Sequence, residues 1–132
     1  MMALDTNVIV RFLVRDDEAQ AETARRRLKQ AEARRERLLV PLPVVLELIW
    51  VLESAYGRSR SEILDAIRNL RQVPVLEFEA DRVIEGLLAD GPKHKAGLAD
   101  ILIAHAAEAR GCDGGITFDK QAARLPFFRL LK

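Results

Sequence analysis

The sequence predicts a parallel α/β domain, with a sheet of four or five strands sandwiched between helices. Short apolar runs alternate with stretches of helical periodicity along the whole chain, the pattern of strands joined by helical crossovers. The runs are apolar at successive positions, as parallel strands are when helices cover both faces. At 132 residues, 49% of them hydrophobic, the chain suits one domain spanning residues 1–132, since domains commonly hold roughly 100–150 residues.

The elements follow in order. Residues 2–5 read as a short buried strand that stops at Asp5, and Val8, Ile9, Phe12 and Leu13 mark a helix over 6–14. Asp16, Asp17 and Glu18 open a second helix, expected to reach about Arg37. Its acids come first and its arginines last, as the helix dipole favours. LLVP (38–41) is a second strand, and residues 43–56 form a helix with Pro43 near its start and Gly57 beyond its end. Ser59 and Glu62 make a capping box ahead of Ile63, Ile67 and Leu70 at helical spacing. VPVLEF (73–78) is a strand, 80–90 a helix, and DGPKHKAG (90–97) a loop. LADILIAHAAEA (98–109) is a helix ending at Gly111. GGITF (114–118) is a strand, Asp119 opens a short helix, and FFRLL (127–131) is a last strand.

Composition excludes more than it selects. Lys plus Arg is 21 and Asp plus Glu is 20, for a net charge of +1, so bulk charge argues neither for nucleic acid nor against it. Cys112 is the only cysteine, which rules out an intrachain disulfide and points to a reducing, cytoplasmic location. No apolar run approaches the roughly 20 residues of a membrane span. The N-terminus lacks the basic-then-apolar layout of a signal peptide.

Four acids draw attention. Open α/β sheets bind ligands beyond the C-terminal ends of their strands. Asp5 and Asp119 each follow a predicted strand, so both face one crevice if those strands are neighbours. Each also has a local explanation as a helix cap. Asp100, three residues after Gly97, favours the dipole of a first helical turn. Glu47 is different. Pro43, Val44, Leu46, Leu48, Trp50 and Val51 surround it, and a helix apolar nearly all round is expected to be buried. A buried glutamate must be neutral, paired or bound to a cation, and this helix offers no Lys or Arg. Glu53, near the polar end, reads as solvated.

Carboxylates that converge repel unless a proton or a cation holds them together. Oxygen-only donors favour Mg²⁺ or Mn²⁺ over zinc. His94 and His105 have no ligand-like spacing to each other or to Cys112. His105, among alanines, reads as structural, and His94, beside two lysines, as solvated.

With Asp5, Glu47, Asp100 and Asp119 in view, the chain resembles a PIN domain, and within that family the VapC-type toxins of bacterial toxin–antitoxin pairs. The resemblance rests on LDTNVIVRFL (4–13), VVLELIWVL (44–52), LADILIA (98–104) and TFD (117–119), in that order, and covers essentially the whole chain. It implies a parallel sheet between helices and divalent-metal-dependent cleavage of single-stranded RNA or RNA loops, leaving a 5′-phosphate and a 3′-hydroxyl. It makes Asp5, Glu47, Asp100 and Asp119 the catalytic and metal-binding residues, and Asn7 and Thr117 polar residues that shape the site. One departure stands out: many relatives read D-F-A-D where this chain reads GLAD, with Gly97 in place of a further acid. The doubled Met1-Met2 start is also unusual.

On this reading one or two Mg²⁺ or Mn²⁺ ions sit among the acids and activate a water for in-line attack on a phosphodiester. Asp5 and Asp100 are the firmest ligands, Asp119 serves a second or water-bridged ion, and Glu47 orients or deprotonates the water. The basic stretch RRRLKQAEARRER (25–37) reads first as a solvated helix face and only second as an RNA contact. Arg11 and Arg15, one turn apart near the site, are better phosphate candidates, with no aromatic stacking platform beside them. An antitoxin helix is expected in an apolar groove across residues 6–30, with Phe12 in its floor, on a homodimeric toxin. Three alternatives compete. A haloacid-dehalogenase-type phosphatase needs a second Asp two residues after the first, where Asn7 stands; a response-regulator receiver needs an acidic pair that is missing. A non-catalytic PIN-like interaction module is the third, kept open by Gly97.

Overall fold

The computed structural model describes residues 1–132. β1 (Met2–Ala3) leads into α1 (Thr6–Leu13) and α2 (Glu18–Ala33), and β2 (Leu38–Val40) into α3 (Leu42–Ser54) and α4 (Arg60–Arg71). β3 (Leu76–Phe78) leads into α5 (Asp81–Asp90) and α6 (Leu98–Ala109). β4 (Gly115–Thr117) is followed by a 3₁₀ turn (Ala122–Arg124) and β5 (Phe128–Leu130). Every pairing is parallel: helical crossovers join β1 to β2 and β2 to β3, and the segment with the 3₁₀ turn joins β4 to β5.

β2 is the middle strand, with β1 on one edge and β3 on the other. Met2 pairs with Leu38, and Leu38 with Leu76. β4 and β5 form a separate pair, with Gly115 opposite Phe128. The expected sheet is therefore divided by its hydrogen bonds into three strands and two. The two-residue β1 is too short to carry a ladder further. The first strand is also not buried: Met2 and Ala3 are exposed, and burial begins at Leu4, whose N–H donates to the Leu39 carbonyl at 2.9 Å. Helices cover β2 and β3, whereas Ile116 of β4 faces solvent.

One continuous apolar cluster draws on all six helices and on β2 and β3. Its fully buried members include Ile63, Ile67 and Leu70 of α4 and Ile84 and Leu87 of α5, each of which contributes roughly 1.5–3 kcal/mol by leaving water. The capping box of α4 is present: the Ser59 hydroxyl accepts from the Glu62 N–H at 3.2 Å, and Glu62 Oε1 accepts from the Ser59 N–H at 2.9 Å.

α2 stops at Ala33, short of Arg37. Arg35 takes a left-handed conformation (φ 56°). The Glu36 N–H then returns to the Ala31 carbonyl at 2.8 Å and the Arg35 N–H to Glu32 at 3.2 Å, the Schellman closure of a helix. α6 closes the same way on Gly111 (φ 90°), through Cys112 to Ala107 and Gly111 to Glu108. The helix expected to open at Asp119 is only the 3₁₀ turn. No helix is long and apolar enough to cross a membrane.

Candidate active site

Asp5 ends the first strand segment and caps α1, its Oδ1 accepting from the Thr6 N–H at 2.8 Å. That single bond to the first helical amide is a partial cap, since a full one reaches the second or third N–H. Thr6 is the one buried polar residue of the molecule, and its hydroxyl donates to Glu47 Oε1. Thr6 therefore links the acid at the start of α1 to the acid on α3. Its place in D-T-N beside Asp5 is the one local signal of this role.

Glu47 is exposed, which corrects its expected burial. α3 buries Val45, Leu48, Ile49 and Leu52 and leaves Pro43, Leu46, Glu47 and Trp50 on its outer side. Apolar residues lie on both sides of this helix, so its composition looked like burial all round. Glu47 lines a surface depression of about 400 Å³ together with Leu46, Trp50 and Ala99. Ala99, at the start of α6, is the one residue of that helix in the lining, and Asp100 and Asp119 lie outside it.

Asp100 lies in the first turn of α6, which begins at Gly97 without a side-chain cap. Its carboxyl is pushed above the ordinary range by burial and, second, by the negative charge of Asp119. Asp119 accepts from the Gln121 N–H at 2.8 Å through Oδ1 and donates its own N–H to the Thr117 hydroxyl at 3.0 Å. Thr117 thus shapes the turn that carries Asp119.

As they stand, no three Asp, Glu, His or Cys side chains converge closely enough to hold a metal ion. The donor chemistry still fits Mg²⁺ or Mn²⁺. Mg²⁺ keeps several waters and needs only one or two carboxylates, and the Asp100–Asp119 pair is a site where crowded negative charge favours a cation. Zinc does not gain from the histidines. His105 Nε2 meets Asp90 Oδ2 at 2.6 Å, tying α6 to α5, as a structural histidine does. His94 and Glu108 line the same small cavity as that pair, of about 220 Å³.

The remaining candidates lie toward α2. Asn7 and Arg11 line a groove of about 540 Å³ between α1 and α2. Arg11 donates to Gln20 at 2.7 Å and to Asp16 and Tyr56 at 3.2 Å, so it reaches a phosphate only by giving up those partners. Arg15 pairs with Glu18. In the basic stretch, Arg25, Arg27 and Arg37 pair with Glu22, Glu36 and Glu77, which favours the solvated-face reading. Phe12 and Val8 both pack against the core, but of the two only Val8 lines the groove.

A parallel α/β domain that sets linked carboxylates beyond the C-terminal ends of its strands defines the class. The chain belongs to the PIN domain family, whose model matches residues 2–128. It is also similar to a VapC ribonuclease of Aquifex aeolicus (strain VF5), 25% identical over 127 residues that cover 96% of this chain and 93% of the relative.

Proposed function

We propose that this chain is a divalent-metal-dependent endoribonuclease of the VapC type, the toxin of a toxin–antitoxin pair, acting in the cytoplasm as a single-domain homodimer. One observation carries the reading: in a PIN domain, the buried Thr6 hydroxyl ties Glu47 to the segment that Asp5 opens, and Asp119 lies near enough to Asp100 to act on its charge.

Asp100 and Asp119 would hold the ion, with Asp5 completing its oxygen donors from the end of β1. The ion, Mg²⁺ or Mn²⁺, supplies an activated water and offsets charge on the phosphate when bound. Glu47, exposed and held by Thr6, would take the proton of an attacking water. The C-terminal location of the site follows the rule for parallel sheets.

Two surfaces support the proposed partners. Leu46 and Trp50 of α3 and Ile103 of α6 are exposed on helices that pack together, an apolar face of the kind that pairs subunits. The α1–α2 groove, with Val8, Ala19 and Ala24 among its lining residues, suits the apolar face of an antitoxin helix.

The test is cleavage of single-stranded RNA in Mg²⁺ or Mn²⁺. Asp5→Asn, Glu47→Gln, Asp100→Asn and Asp119→Asn should each reduce cleavage by orders of magnitude, because such residues act as a unit. Full activity in Asp100→Asn removes Asp100 from the site. Gly97 in place of an acid favours a second reading, a non-catalytic PIN module. Metal binding by calorimetry without any RNA cleavage would select it.

A further inference from the structure

The acid of α6 and the acid that follows β4 have a neighbour that the mechanism above leaves unused. Phe118, immediately before Asp119, is 78% exposed. Lys120, immediately after Asp119, is exposed, and so is Lys95 in the loop that leads to Gly97. Gln121 stitches the two loops together: its N–H donates to Asp119 and its Nε2 donates to the Lys95 carbonyl at 2.8 Å. Every ion pair in the molecule takes an arginine or histidine as its cation. Lys95 and Lys120 therefore have no carboxylate partner, even though Asp100 and Asp119 stand close by in the chain.

We propose that Phe118, Lys95 and Lys120 form the rim on which single-stranded RNA enters the site, with a base stacked on the Phe118 ring and backbone phosphates on the two lysines. An exposed ring beside unpaired cations is the combination that single-stranded nucleic acid requires, since every base has a face to stack and every linkage a charge to meet. Burying so large a ring against water-exposed charges would suit a protein partner poorly, because its chain neighbours on one side are Asp119 and Lys120. Ile116, two residues earlier, is also exposed, so a second copy of the chain is the competing occupant. The lysines also explain how a polyanion approaches four carboxylates in a molecule of net charge +1: they supply local attraction where the acids repel. This assignment deepens the ribonuclease reading and rests on it.

The experiment measures binding without turnover. A short fluorescein-labelled single-stranded RNA is titrated by anisotropy with the full chain carrying Asp5→Asn, at several salt concentrations. Adding Phe118→Ala should weaken binding about tenfold, the effect of one lost stacking contact, and Phe118→Trp should restore it. Adding Lys95→Ala and Lys120→Ala together should lower the slope of log affinity against log salt by about 1.4, at about 0.7 per phosphate contact on a single strand. In the otherwise native chain Phe118→Ala should raise KM with kcat little changed. Affinity and salt slope equal to the parent's in both variants overturn the proposal. So does a Phe118→Ala protein that changes from dimer to monomer in sedimentation while retaining its RNA affinity, which makes the ring a subunit contact. Cleavage by the native chain, with Asp5 intact, is assayed separately: RNA bound with these dependences but never cleaved by that chain rejects the ribonuclease reading and leaves the rim as an RNA-binding surface.

Discussion

Asp100 shows how one carboxyl carries both stability and function. Its pKa is raised in the folded chain, while in the unfolded chain it lies near the ordinary value of about 3.9. Below that value both states hold the proton and Asp100 contributes nothing to pH dependence. As pH rises past about 3.9 the unfolded chain loses its proton first, so stability falls, and above the raised folded value the full penalty is present. Asp100→Asn should therefore be more stable than the native chain at neutral pH without metal, with the difference vanishing at low pH in denaturant titrations. The same variant should lose most of any rise in melting temperature produced by Mn²⁺. Thr6 is tested by Thr6→Val, which keeps the buried shape and removes the hydroxyl bonded to Glu47. Stability should fall by about 0.5–1.5 kcal/mol, while kcat for RNA cleavage falls with KM little changed.

Helix ends decide which elements reach the site. The capping box of α4 and the glycine closure of α6 follow from residue type alone: Ser59 with Glu62, and Gly111 in a left-handed conformation. α2 closes by the same motif on Arg35, a residue whose side chain disfavours that backbone by about 1–2 kcal/mol. Arg35→Gly should therefore stabilise the chain by up to about 1 kcal/mol in chemical denaturation, less the greater freedom that glycine adds to the unfolded chain. No gain would mean that the strain is relieved locally. α3 begins at Pro41 without a cap of its own, and its first N–H, on Leu42, is taken by Glu79 from beyond β3 at 2.7 Å. The loop before α6 is held similarly from a distance: the Arg60 guanidinium donates to the Gly91 carbonyl at 2.8 Å and to the Ala96 carbonyl. Arg60 and Gln121 together fix the segment that sets Asp100 beside Asp119.

At the scale of the whole molecule the α1–α2 groove lies apart from the α3–α6 face, whereas Glu47 shares its depression with Leu46 and Trp50, so the antitoxin groove can be tested separately from the dimer face. Trp50 is 67% exposed, and Trp50→Glu should convert a dimer to a monomer in analytical ultracentrifugation without a change in melting temperature. A dimer that survives places the interface elsewhere. Val8 lines the groove where Phe12 does not. Val8→Asp should weaken inhibition by the antitoxin at least tenfold while RNA cleavage persists; undiminished inhibition would move the antitoxin off this groove.

The sequence by itself determined the α/β class, the order of the helices and strands and the capping box at Ser59, and it singled out four acids as candidates. These depend on period, on residue type at helix ends and on the D-T-N, GLAD and TFD stretches, all local in the chain. Only the tertiary structure decided that Glu47 is exposed, that Thr6 holds it, and that the strands pair as three and two. It also decided that Asp119 acts on the charge of Asp100 and that Gln121 ties the loop at Lys95 to the turn at Asp119. The physical reason is separation along the chain. Thr6 and Glu47 are 41 residues apart and Lys95 and Gln121 are 26 apart. Such contacts form only when α1, α3 and α6 pack on a common core, and no local period or cap encodes which exposed face each helix then presents.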